Sequence, residues 1–241
     1  MAGHSHWAGI KHKKGRADKE RSKIFSKLSR EMTVAAKLGD KDPDMNPRLR
    51  TAIQAAKQAN MPKDNIARAV SRSEISGDKN YENLRYEGFG PYNSALIIET
   101  LTDNKNRSAS SIRTVLQKNG GRLGETGSTK HLFFNCGVIH IDNKKFKEEE
   151  IFELAINSGA KDCSNLENYH EIISEKEDFY KVKNELEKKL IKLEYSGVEW
   201  RPMSRINLNE EQSKKVFELL LALDELDDVQ NIYVNTNLKN I

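Results

Sequence analysis

Residues 138–200 read VIHIDNKKFKEEEIFELAINSGAKDCSNLENYHEIISEKEDFYKVKNELEKKLIKLEYSGVEW, and the order of hydrophobic periods within them decides the fold. Apolar residues run together at 138–141, recur at helical spacing over 148–157, and alternate with polar ones at 160–164 and 169–174. The helical period returns over 177–192 and a last extended run covers 193–200. Strand, helix, strand, strand, helix, strand is the ferredoxin-like order.

Working outward, the preceding stretch gives strands at 83–87, 94–102 and 130–135 around a helix at 107–118. The following one gives a helix at 210–226 and a strand at 229–235. Neither flank alone closes a two-layer domain around a core, but together they do. The sequence therefore predicts an α+β multidomain chain in which a ferredoxin-like unit, 136–206, is inserted into a discontinuous α/β domain, 84–135 plus 207–241.

Further upstream the period is helical throughout. Ile24, Phe25, Leu28, Met32, Ala35 and Ala36 mark a helix over 18–38 that Gly39 ends. Asn46 and Pro47 are the N-cap and first-turn residues of a second helix, and Pro62 opens a third. Residues 1–75 thus form a small helical domain, followed by a stretch of linker composition at 74–83 (EISGDKNYEN).

Charge divides along the same boundary. Residues 1–75 hold 17 Lys or Arg against 8 Asp or Glu, a net of +9, whereas residues 76–241 hold 23 against 28, a net of −5. A one-signed segment of this kind suits a polyanionic partner. Only Cys136 and Cys163 occur, without CxxC spacing, which supports neither a disulfide framework nor a zinc site and suits a reducing compartment. The N-terminus MAGHSHWAGIKHKK lacks the apolar core of a signal peptide, and no apolar run is long enough for a membrane span. A soluble, cytoplasmic protein with no membrane partner, no cofactor and no small-molecule substrate is expected.

The candidate nucleic-acid contacts lie in the basic segment. On an ideal helix Lys19, Lys23, Lys27 and Arg30 fall within roughly 80° of one another, opposite Phe25, Leu28 and Met32. Ahead of them Lys11, Lys13, Lys14 and Arg16 sit among glycines beside Trp7, an arm able to follow phosphates and stack an aromatic on a base. Asn65, Arg68 and Arg72 share the outer face of the third helix and are of the types that read base edges; ordinary solvated helix faces have the same composition. His4, His6 and His12 could suggest a metal-dependent nuclease, but no acid or cysteine stands near them in sequence, so no metal site and no catalytic residue is expected. The acidic run 224–228 reads as a solvated helix end. Glycine-rich GGRLGETGS at 120–128 follows a helix and precedes a strand, the reverse of a phosphate-cradling loop, and should lie at the same edge as the turn EGFGPYN at 87–93.

Several stretches carry a resemblance: AGHS at 2–5, RSKIFSKLSREMTVAAKLG at 21–39, NPRLR at 46–50, MPKDNI at 61–66, YEGFGP at 86–91, LTDNKNRSAS at 101–110 and GGRLGETGS at 120–128. Together they resemble the YebC family, with a departure at GPYNS (90–94), where that family's pattern is richer in glycine. The resemblance implies three domains, the first helical, and no catalytic residues. It also implies a regulator of gene expression: bacterial members are described as DNA-binding transcriptional regulators, related mitochondrial ones as translational activators, and bacterial members are also tied to ribosomes stalled on prolines. The expected partner is accordingly DNA, with ribosomal RNA or the ribosome as the alternative and a histidine-dependent nuclease as a distant one.

Overall fold

The computed structural model describes residues 17–75, 81–189 and 193–238. Helix α1 spans Ala17–Leu38, α2 Pro47–Gln58 and α3 Lys63–Ile75. They close on one small core of Met32, Ala35, Ala36, Leu49, Ala52, Ala56, Met61, Ile66 and Ala69, in which the alanines let the helix backbones approach closely. The α1–α2 connection turns on Asn46. Its amide donates to the carbonyls of Ala35 (2.9 Å) and Asp40 (2.7 Å), and its side-chain oxygen accepts from Leu49 N (3.1 Å) as the N-cap of α2. Gly39 is required beside it, because a Cβ there would lie 2.7 Å from the Asn46 amide nitrogen.

Beyond the helices, β1 (Glu82–Phe89) and β2 (Ala95–Thr102) form an antiparallel pair, α4 (Lys105–Lys118) follows, and short β3 (Arg122–Leu123) returns to the edge of β1. Residues 133–203 then make a separate compact unit. Its elements are β4 (Phe133–Asp142), α5 (Glu148–Ser158), β5 (Asp162–Asn165), β6 (Tyr169–Glu175), α6 (Phe179–Lys189) and β7 (Tyr195–Pro202). The sheet order β5-β6-β4-β7, antiparallel throughout, is that of a ferredoxin-like domain. Ile139, Ile141, Ile151, Ile172, Phe179, Val182 and Leu186 fill the space between sheet and helices.

The chain then completes the first sheet. Strand β8 (Ile206–Asn207) leads to α7 (Glu210–Asp224), which Asn209 and Gln212 start with a reciprocal capping box; β9 (Val229–Val234) pairs with β2, and β10 (Thr236–Asn237) with β8. The resulting order is β3-β1-β2-β9. Helices α4 and α7 cover one face through Leu96, Ile98, Ile112, Leu116, Val216, Leu220, Leu223 and Ile232.

One strand differs from its sequence reading. The sequence reading gives two strands, 130–135 and 138–141; instead β4 runs unbroken, paired with β7 from Phe133 to His140, while Lys130–Leu132 is a 3-10 turn. Gly137 is no strand breaker here. A Cβ on it would lie 2.3 Å from Ser174 Oγ and 2.6 Å from the ring of Phe179, so it is the gap into which α6 packs. Among the described residues no helix is long and apolar enough to cross a membrane.

Candidate nucleic-acid interface

Trp7, Lys11, Lys13, Lys14 and Arg16, together with His4, His6 and His12, lie outside the described residues, as does the side chain of Lys19. The remaining members of the positive stripe are described, and the structure corrects their expected exposure. Lys23, Lys27 and Arg30 have side chains only 17%, 16% and 23% exposed. They face the acidic end of α7. Lys27 Nζ lies 2.7 Å from Asp224 Oδ1, and Lys23 Nζ lies 3.2 Å from Asp224 Oδ2 and 3.3 Å from Glu225 Oε1. Arg30 donates to the carbonyl of Asp227 (2.6 Å), and its guanidinium lies 3.3 Å from Asp228 Oδ1.

The acidic run 224–228 is therefore not the solvated helix end expected of it. Asp224 and Asp228 are largely buried carboxylates, each matched to cations. Buried charges demand such partners, because desolvation is otherwise costly. Asp228 is held from its other side by Ser108 Oγ (2.7 Å), Thr102 Oγ1 (3.2 Å) and Arg107 Nη2 (2.9 Å). Burial pushes its carboxyl up, but the hydrogen bonds from Ser108 and Arg107 and the Arg107 charge outweigh this and hold it below the ordinary aspartate value. Four residues of the stretch TDNKNRS at 102–108 thus have a structural role: Asn104 caps α4 by accepting from Arg107 N (3.0 Å), while Thr102, Arg107 and Ser108 position Asp228.

On α3, Arg68 and Arg72 are exposed, whereas Asn65 is half-buried one turn before buried Ala69. Arg68 donates to the side-chain oxygen of Asn65 and, at 3.3 Å, to the carbonyl of Asp64. Asn60, with φ of 57°, makes the sharp bend between α2 and α3, and its carbonyl accepts from Arg21 at 3.4 Å.

At the other end of α4, the glycine loop and the turn at 87–93 do meet. Gly88 and Phe89 pair with Leu123 and Arg122, and the Arg122 guanidinium stacks on the Phe89 ring 4.8 Å from its centroid. The organiser is Glu87, which sequence reading missed. Its buried carboxylate accepts from Gly127 N (3.0 Å), Thr129 N (2.8 Å) and Lys130 N (2.8 Å). Burial raises that carboxyl, yet these backbone donors and Arg85 together bring it below its usual value. An acid in a strand reads as solvated, and only the loop wrapped beneath it reveals the role. In the turn itself Tyr92 and Asn93 adopt left-handed φ of 59° and 57°, at positions where the resembled pattern has glycine.

The comparisons agree with this architecture. Residues 5–75 match the family model for the TACO1/YebC protein N-terminal domain, and residues 81–236 the model for the TACO1/YebC second and third domain. A probable transcriptional regulatory protein of Pelagibacter ubique (strain HTCC1062) is 54% identical over 240 residues, covering 100% of both chains. The crystal structure of a conserved hypothetical protein from Aquifex aeolicus is similar over 97% of each chain at 45% identity, with a TM-score of 0.83. A helical N-terminal segment followed by α/β sheets, matched by one model over 5–75 and by the other over 81–236, places this chain in the TACO1/YebC family.

Proposed function

We propose that the chain is a non-enzymatic regulator of gene expression that acts by binding nucleic acid, in the first instance as a DNA-binding transcriptional regulator of the YebC type. One observation carries the reading: the cations are concentrated in residues 1–75, with a net charge of +9, while the rest of the chain is acidic. The name of the Pelagibacter ubique relative supports the regulatory part. In this reading Trp7, Lys11, Lys13, Lys14, Arg16 and Lys19 meet phosphates and bases first, Lys23, Lys27 and Arg30 extend the contact along α1, and Asn65, Arg68 and Arg72 supply a second row on α3.

A second reading, binding of ribosomal RNA in translation, is favoured by one feature of α3. Asn65 and Arg68 are bonded to each other rather than presented side by side to base edges, and the helices α2 and α3 meet across four residues, Ala59 to Pro62, with Asn60 left-handed. Such a surface suits phosphates and irregular RNA better than base-by-base readout. Crosslinking in growing cells, followed by sequencing of the attached nucleic acid, separates the two. A set of DNA sites is expected for the transcriptional reading; one discrete region of ribosomal RNA would move the assignment to the ribosome. Recovery of neither would refute nucleic-acid binding in both forms.

A further inference from the structure

The glycine loop at 120–128 and the turn at 87–93 meet at the end of α4 and carry exposed cations. Residues 113–131 hold four Lys or Arg (113, 118, 122 and 130) against the single acid Glu125, although residues 76–241 as a whole are acidic. All four are exposed, and among the described residues none of them has a carboxylate within ion-pair distance. Lys23, Lys27 and Arg30 differ in this respect, because their charges face carboxylates of the same chain.

Two of the four are brought together by β1. Gly88 faces Leu116 of α4, so by strand alternation Arg85, Glu87 and Phe89 point to the other side of the sheet. Arg122 is paired with Phe89 across the β1–β3 ladder, and its guanidinium rests over the Phe89 ring. Lys130 enters from the loop, its backbone N 2.8 Å from the Glu87 carboxylate. That carboxylate is taken up by three backbone N–H groups and Arg85, so Arg122 and Lys130 add positive charge to a spot that is already balanced. The support is fixed as well: Gly121 N donates to the carbonyl of Leu116 and Gly124 N to that of Glu87, each at 2.8 Å.

We propose that Arg122 on Phe89, with Lys130 beside it, is a second phosphate contact for the nucleic acid that the N-terminal segment binds. A guanidinium resting over an aromatic ring leaves its rim of N–H donors open, and that rim matches the oxygens of a phosphate. The ring also holds the long side chain in one orientation beforehand, so less freedom is lost on binding. Helix α4 separates the two contacts. Arg30 of α1 meets Asp228, which is bound by Arg107 and Ser108 in the first turn of α4, whereas the loop follows the last turn. The 14 residues of α4 span about 21 Å at 1.5 Å per residue. A polyanion long enough to reach both places gains from each, while a short fragment engages one at a time.

The inference rests on the nucleic-acid reading of the N-terminal segment, and the test separates the two. Arg122→Gln combined with Lys130→Gln removes both charges from exposed positions. Lys145→Gln combined with Lys188→Gln, on exposed sites of the inserted unit, changes the net charge equally and serves as the reference. Fluorescence anisotropy with a long single-stranded polyuridine and with random-sequence duplex DNA should show the loop variant binding roughly five- to twentyfold more weakly, with a salt slope shallower by roughly 1.5. The reference variant should bind like the unaltered chain. Arg122→Lys keeps the charge but loses the planar fork, and should weaken binding roughly threefold at an unchanged salt slope. Unaltered affinity in a cooperatively melting loop variant, or an equal loss in the reference variant, would overturn the second contact and leave the N-terminal reading intact. No binding of either polymer by the unaltered chain would remove both. Photocrosslinking of the unaltered chain to thiouridine-substituted RNA guards against a loop variant that folds poorly. Attachment is expected within 87–93 or 118–131, and attachment confined to residues 1–75 would contradict the proposal.

Discussion

Glu87 shows at the scale of a residue how a charge becomes structural. Its carboxylate gathers three backbone N–H groups of the segment 127–130 and faces Arg85; such charge-assisted bonds contribute more than neutral ones. Replacing it by Gln leaves the shape but turns half of the acceptor into a donor that meets a backbone N–H. The expected cost is about 2 kcal/mol by urea unfolding. Because the folded-state carboxyl lies below its ordinary value of 4.5, its contribution is complete above that pH and is lost as pH falls through the lower folded value. Below that range the Glu87→Gln variant and the parent should therefore converge in stability. A gap that persists undiminished at low pH would show that the ionised form is not what holds the loop. Asn46→Ala removes an N-cap and two further bonds, and should cost about 2 kcal/mol in the same measurement. Neither role is visible in composition: Asn46 was legible as a cap from Pro47 beside it, but the two carbonyls it ties come from the end of α1 and the following turn.

Elements were more legible than residues, because their periods are local. The helices α1, α5 and α7 and, apart from β4, the strands of the inserted unit follow from apolar spacing alone, and the order β-α-β-β-α-β specifies the sheet order once right-handed crossovers are required. The continuity of β4 through Gly137 is not local information, because a glycine in a strand has two physical meanings, a break or a close approach, and only the packing of Phe179 decides between them. The outer face of α1 misled for a similar reason. Helical spacing shows that Lys23, Lys27 and Arg30 share a side, but not that α7, nearly 200 residues later, ends against it. A consequence is that Lys27 carries stability as well as binding. Lys27→Ala removes the shorter of the two lysine pairs to Asp224 and should destabilise the fold by about 1 kcal/mol at low salt, with the gap narrowing in high salt as the lost pair is screened in the parent also. An equal gap at both salt concentrations would argue that the lysine stem, rather than its charge, does the packing.

At the scale of the whole molecule, the discontinuous sheet places the C-terminal acidic helix end beside the N-terminal cations, an encounter between segments that are adjacent in space and remote in sequence. The opposed charges of the two regions are thus partly satisfied within the chain. A surface that works through phosphates discriminates poorly between sequences, so the ratio of specific to random DNA binding should stay below about a hundredfold, under the range of dedicated operator-binding proteins. Competition of a selected site against random duplex measures this; a ratio in the thousands would require direct base readout, with Asn65, Arg68 and Arg72 rearranged to provide it.

Whether the basic N-terminal segment grips a polyanion is read from the salt dependence of its binding to random-sequence duplex DNA. If about six phosphates are neutralised, log K should fall against log salt with a slope near −5. A slope near zero would mean that whatever the chain binds is not held by its cations.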